Sequence, residues 1–169
     1  MDAQERRAAL AGCLEETEQP VSAGALAARF GVSRQIIVGD IALLRAGGLS
    51  VSATPRGYLL PRDRAGFLRT AACLHSPEEM GQELEIMVDN GCVVEDVVVE
   101  HPVYGQLTGQ LHLASRYDIR QFLDKVSASE AKPLAELTAG VHLHTLRCPD
   151  RQAYHRVLEQ LRQAGFLYQ

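Results

Sequence analysis

An α+β fold in two parts is what the sequence predicts, and three observations predict it. Residues 1–48 read as three short helices, interrupted at Pro20 and at Gly31-Val32-Ser33. Residues 49–60, LSVSATPRGYLL, alternate apolar and polar positions around a Pro-Arg-Gly turn, the pattern of a β-hairpin. Beyond the polar stretch PRDRAG (61–66), strand-like and helix-like segments follow in the order βαββαβα. That order predicts an α/β sandwich of ferredoxin-like βαββαβ outline, with helices on one face of an antiparallel sheet. The expected domains are therefore residues 1–61 and 66–169.

Composition supports a folded chain. Its 169 residues are 46% hydrophobic and 22% charged, enough apolar content for one medium domain or two small ones. Trp is absent and aromatic residues make up 5%, so Leu, Val, Ile and Ala must build the core. The start, MDAQERRAAL, lacks an apolar signal region, and no apolar run approaches the roughly 20 residues that span a bilayer. A cytoplasmic location without membrane contact is expected. Cys13, Cys73, Cys92 and Cys148 are scattered with no CxxC pair, which argues against a zinc ribbon and suits buried thiols in a reducing compartment.

In the N-terminal part, a first helix is expected over Ala3 to Glu16, with Leu10 and Leu14 at i, i+4 on its inner face. Ser22 is a suitable N-cap for a second helix through Phe30. Gly31 can take positive φ to close it, and Ser33 can cap the next helix, RQIIVGDIALLRAGG. That helix buries Ile37, Ile41 and Leu44 and stops at Gly47-Gly48. Two short helices joined by such a turn form a helix-turn-helix, and the hairpin behind them is its wing.

Net charge is −4 overall, but its distribution is uneven. Residues 22–61 carry four arginines (29, 34, 45 and 56) against Asp40 alone, whereas residues 62–169 carry 11 basic and 15 acidic residues. A nucleic-acid surface belongs on the basic segment. Ser33, Arg34 and Gln35 stand at the N-terminus of the second helix of the motif, the end that enters the major groove. Arg suits guanine edges, Gln suits adenine, and Ser suits phosphate. Arg45, and Arg56 at the wing tip, complete the expected contacts, and double-stranded operator DNA is the expected partner. A small helical domain that only packs or dimerises is the competing reading. FGVSRQIIVGDIALLRAGG followed by RGYLL resembles the winged helix-turn-helix of biotin-repressor-type regulators. Gly39 is out of place in mid-helix and receives no role.

The C-terminal part should begin with a strand over 67–74. A helix follows, opened by Ser76, Pro77 and two glutamates and running to about Asp89. Strands over 93–100 and 106–113 come next, then a helix capped by Ser115, a strand over 140–147, and a helix over 150–164.

No P-loop, GxGxxG, GxSxG or nucleophile–base pair is present. All six histidines follow residue 74. His142 and His144, in GVHLHTL, share one face of a strand and could converge on a metal ion, although such a pair is commonly just a solvated face. His75 at a strand end, with Glu83 on the next helix, would complete an N3O donor set. That set suits zinc, nickel, iron or manganese rather than calcium or magnesium. Exposed positions on a turn and a helix face are the plainer reading of His75 and Glu83. His112 and His155 receive no function.

A winged helix followed by LHSPEEMGQELEIMVDNG, VEHPVYGQLTGQLHLASRYDIRQFLDKV and LTAGVHLHTL resembles the three-histidine-domain transcription regulators, nicotinate-responsive repressors, over nearly the whole chain. The resemblance implies one divalent transition metal per chain, nickel or zinc, held by His75, Glu83, His142 and His144. It also puts His101, Tyr104, Ser115 and Arg116 near an effector pocket, through the HPVYG and SRYD motifs. It implies no enzymatic activity. The expected function is that of a homodimeric repressor using nicotinic acid as co-repressor at NAD-biosynthesis or niacin-uptake genes. The alternatives are a metal-dependent enzyme tethered to DNA, with Glu100 as a weak general base, and a regulator answering to the metal itself.

Overall fold

The computed structural model describes residues 1–169, and the chain divides into two compact units, Met1–Asp63 and Arg64–Gln169.

In the first unit, α1 (Ala3–Glu16) starts with a capping box: Asp2 accepts from the amides of Gln4 and Glu5, and the Glu5 carboxylate accepts from the Asp2 amide. Ser22 caps α2 (Ala23–Phe30), Gly31 closes it at φ 65°, and Ser33 caps α3 (Arg34–Ala46). Leu10, Leu14, Leu26, Ile37 and Ile41 are fully buried between the three helices, the spacing having put each on an inner face. Asp40, expected only as the lone acid of a basic stretch, is buried on α3. Arg6 Nε of α1 lies 2.7 Å from it and Arg7 Nη1 lies 3.6 Å away.

The wing is shorter than the alternating pattern suggested. β1 (Ser52–Thr54) and β2 (Gly57–Leu59) pair antiparallel across the two-residue turn Pro55-Arg56. Val21 and Tyr58 extend the sheet by exchanging backbone hydrogen bonds of 2.8 and 2.9 Å. Gly57 is required there. Its φ is +139°, and a Cβ would sit 2.3 Å from the Val21 carbonyl oxygen.

The second unit holds β3 (Phe67–Cys73), α4 (Met80–Asp89), β4 (Val93–His101), β5 (Gly105–Leu113), α5 (Arg116–Ala128), β6 (His142–Cys148) and α6 (Arg151–Ala164). A 3-10 turn, Pro77–Glu79, precedes α4, and Ser76 donates to the Glu79 carboxylate through both its amide and its hydroxyl. A second 3-10 turn, Leu134–Leu137, lies between α5 and β6. β6 begins at His142 rather than Gly140, because Ala139 (φ 53°) and Gly140 (φ 93°) turn the chain.

The strands are ordered β3-β6-β4-β5, every neighbour antiparallel. β3-α4-β4 and β5-α5-β6 are thus split β-α-β units, each with another strand between its two parallel members. The helices pack on one face over Leu84, Met87, Val94, Leu113, Ile119, Leu146, Val157 and Leu161. A bulge between Val94 and Asp96 interrupts the β4–β5 ladder, and opposite it His112 takes φ 50°.

Candidate metal centre and DNA interface

β3 and β6 run side by side with Cys73 opposite His142 and Ala71 opposite His144. Side chains alternate along a strand, so both histidines face the helices along with Leu146 and Cys148, and all four are buried. His75 follows two residues after β3. α4 brings Glu83, 1% exposed, over this end of the sheet.

Three imidazoles converge on that carboxylate. His75 Nε2 lies 2.7 Å from Glu83 Oε2; His142 Nε2 and His144 Nε2 lie 3.0 and 3.3 Å from Oε1. The other ring nitrogen of each histidine meets a backbone carbonyl: His75 Nδ1 at 2.8 Å from Ser76 O, His142 Nδ1 at 2.7 Å from Gly140 O, and His144 Nδ1 at 2.7 Å from Asp96 O. A carbonyl oxygen only accepts, so each Nδ1 carries a proton, and each ring, when neutral, turns a lone pair toward Glu83. Burial alone would raise the Glu83 pKa, yet the three histidines hold it well below the usual carboxylate range. Burial opposes charge on His75 and His144, and the Glu83 carboxylate nevertheless raises both above their ordinary value.

Two arrangements relieve lone pairs facing an anion. Protonating all three rings would bury a net charge of +2, which is costly. A divalent cation among the four donors satisfies every lone pair at once, and donors at metal distances of about 2.1 Å sit about 3 Å apart, as each imidazole nitrogen does from the Glu83 carboxylate. His75 Nε2 and Glu83 Oε2 are close but lack hydrogen-bond geometry, as expected of groups aimed at a common centre. Imidazoles tethered through Nδ1 to carbonyls are the usual outer support of such centres. The four sequence-predicted residues therefore come together, and their chemistry fits a transition metal.

Sequence reading missed Cys73, which it treated only as a small buried hydrophobe. Its thiol, the Glu83 carboxylate and a His142 nitrogen all lie within 4.8 Å of one another. Burial foremost, with Glu83 adding to it, pushes the thiol up. The clue was its i, i+2 spacing to His75.

The residues expected around an effector do not form one cluster. His101 ends β4, where Nδ1 accepts from the amides of Val103 and Tyr104, and Tyr104 is exposed on the hairpin turn. Ser115 caps α5, and Arg116 pairs with Asp89 and Glu85 of α4. The two pairs lie beyond opposite ends of β5, whose nine residues span roughly 27–30 Å. Within one chain they cannot line a single small pocket.

In the first unit, Ser33 accepts from the Ile36 amide as N-cap, and Arg34 and Gln35 project from α3 into solvent. Arg45 is engaged internally: Nε donates to Val51 O at 2.8 Å and the guanidinium lies 5.9 Å from the Tyr58 ring centroid. Arg56 is half-buried in the wing turn, where its amide donates to Thr54 Oγ1. The freely presented part of the expected interface is thus the α3 N-terminus, continued by exposed Ile36, Val38 and Leu43.

Comparison with known proteins agrees with both units. Residues 6–59 match an HTH domain and residues 68–169 match the 3H domain. The chain is 42% identical to the probable transcription repressor NiaR of Thermotoga maritima, over 97% of this chain and 94% of that protein. It is 40% identical to the transcription repressor NadR of Bacillus subtilis, over 96% and 92%. No helix is long and apolar enough to cross a membrane. A helix-turn-helix with a free recognition helix, joined to a 3H domain and matched nearly end to end by these repressors, places the chain in the NiaR/NadR family of DNA-binding transcription repressors, regulators rather than enzymes.

Proposed function

We propose that this repressor carries one divalent transition metal, nickel or zinc, on His75, Glu83, His142 and His144, and uses nicotinate as co-repressor at NAD-biosynthesis or niacin-uptake genes. The observation that carries the metal reading is the triple convergence on Glu83, with each opposite Nδ1 bound to a carbonyl. The nicotinate reading rests on the motifs that resemble nicotinate-responsive regulators. The metal, when bound, supplies a Lewis-acidic position that the carboxylate or ring nitrogen of a small flat acid can take. The chain's own residues fix the donors, exclude water from them and tie β3, α4 and β6 together around them.

DNA recognition falls to Arg34 and Gln35, positioned by the Ser33 cap, with the wing held in place by Arg45. The protein acts as a homodimer on a two-fold operator, whose half-sites lie about 34 Å apart or a multiple of it. His101 and Tyr104, at one end of β5, and Ser115 and Arg116, at the other, could contact one effector only if two copies each contributed a pair.

Operator DNA titrated with metal-loaded protein, with and without nicotinate, tests the reading. Nicotinate should increase affinity by a coupling of about 1–3 kcal/mol, or roughly 5–150-fold. Saturation by metal-loaded protein without nicotinate would assign the effector role to the metal. Elemental analysis of untagged protein tests the ligands: metal content unchanged in both His142→Ala and His144→Ala would remove the site.

A further inference from the structure

We propose that Cys73 is a fifth donor to the metal, converting the centre from N3O to N3OS. The proposal rests on the metal reading above and concerns a residue outside the histidine–glutamate set. Three observations carry it. Cys73 faces His142 directly across the β3–β6 ladder, on the same side of the sheet as both strand histidines. It is completely buried, and its sulfur shares with the Glu83 carboxylate and a His142 nitrogen a space in which all three atoms lie within 4.8 Å of one another. Finally, His75 Nε2 and Glu83 Oε2, buried and without hydrogen-bond geometry, mark the same space as lined by donors.

A separation of at most 4.8 Å is compatible with ligation. With metal–sulfur bonds of about 2.3 Å and metal–nitrogen or metal–oxygen bonds of about 2.0–2.2 Å, two donors on one ion are separated by about 3 to 4.5 Å. Coordination breaks the S–H bond, the metal takes the sulfur lone pair, and the proton leaves to solvent. No oxidant or reductant is involved. A thiolate shifts selection toward nickel, cobalt or zinc and away from manganese and magnesium. Five protein donors leave an octahedral ion one position, enough for one carboxylate or one ring nitrogen. The other cysteines are elsewhere: Cys13 is in the first unit, Cys92 lies in the core just after α4, and Cys148 is the last residue of β6, at the opposite end of the strand from His142.

Cobalt(II) loading of the metal-free full chain separates this inference from the metal reading. Visible ligand-field bands report that the ion is bound; an intense near-ultraviolet sulfur-to-cobalt charge-transfer band reports the thiolate. Wild type should show both. Cys73→Ser and Cys73→Ala should keep the visible bands, lose the charge-transfer band and bind the ion more weakly, while Cys92→Ser should keep both. Visible bands without charge transfer in wild type would overturn the Cys73 assignment and leave the metal centre standing. Absence of visible bands at saturating cobalt would overturn the metal centre itself. Because the wild-type spectrum decides both, the conclusion does not depend on either variant folding.

Discussion

Glu83 of α4 and His142 of β6, 59 residues apart in sequence, meet at 3.0 Å through Oε1 and Nε2. The opposite nitrogen of the same ring lies 2.7 Å from Gly140 O. The contact therefore sets a lone pair against an anion unless a proton or a cation lies between them. Glu83→Gln removes that conflict, because an amide can donate to Nε2, but it also removes the anionic donor. The variant should stay folded without metal and bind it more weakly, by more than the roughly 10–100-fold typical of an outer-shell partner. Glu78→Gln, exposed on the 3-10 turn that precedes α4, should bind as wild type does. Competition with a chromophoric chelator measures both.

Because the proposed donors lie just after β3, on α4 and on β6, bound metal should stabilise the second unit as a whole. A ligand that binds only the folded state at 100 times its Kd contributes about 2.7 kcal/mol, which for a unit of this size corresponds to a melting shift of about 10–20 °C. Chelation should lower the melting of residues 64–169 and leave the helix-turn-helix unit unchanged. His144→Ala should abolish the difference between loaded and stripped protein in calorimetry.

Local features were legible in the chain. The caps at Ser22, Ser33, Ser115 and Asp150 start helices within a residue of expectation, because capping depends on near neighbours alone. The shared face of His142 and His144 follows from strand alternation. The strand order was not legible: insertion of β6 between β3 and β4 is a long-range pairing, and that pairing puts Cys73 against His142. Arg6 with Asp40, and Glu95 with Arg147, were hidden for the same reason. The effector residues were grouped through adjacent motifs, and the length of β5 separates them.

The arginines of the first unit divide by what they already hold. Arg34 is exposed on the α3 N-terminus, whereas Arg45 clamps the chain entering the wing at Val51. Arg34→Ala should leave thermal melting unchanged and weaken operator binding by about 1–3 kcal/mol if it reads a base. Arg45→Ala should lower both melting temperature and affinity. Fluorescence anisotropy beside thermal melts separates the two behaviours.

Gly39 lies on the exposed side of α3, where an added Cβ meets nothing within 4 Å. Gly39→Ala should stabilise the helix-turn-helix unit by about 0.5–1 kcal/mol, since alanine has less backbone freedom to lose. If α3 lies in the major groove along this face, operator affinity should fall while stability rises. A urea titration and an operator-binding curve on the same variant test both effects.

Glu95 sits at the β4 bulge, with Oε2 2.7 Å from His112 Nδ1 and Oε1 2.6 Å from Arg147 Nε. Burial works to raise its pKa, but His112 and then Arg147 bring it below the ordinary carboxylate value. A carboxylate with a depressed folded pKa stabilises the fold above its unfolded value and loses that contribution as pH falls through the folded one. Acidification below about pH 4.5 should therefore weaken this corner of the sheet. Arg147 also donates to Arg64 O at 2.8 Å, so the loss should reach the start of the second unit. Glu95→Gln should be less stable than wild type at pH 7 and lose less stability between pH 5 and pH 3. Equal losses in urea melts at the two acidic pH values would mean that Glu95 does not titrate with folding.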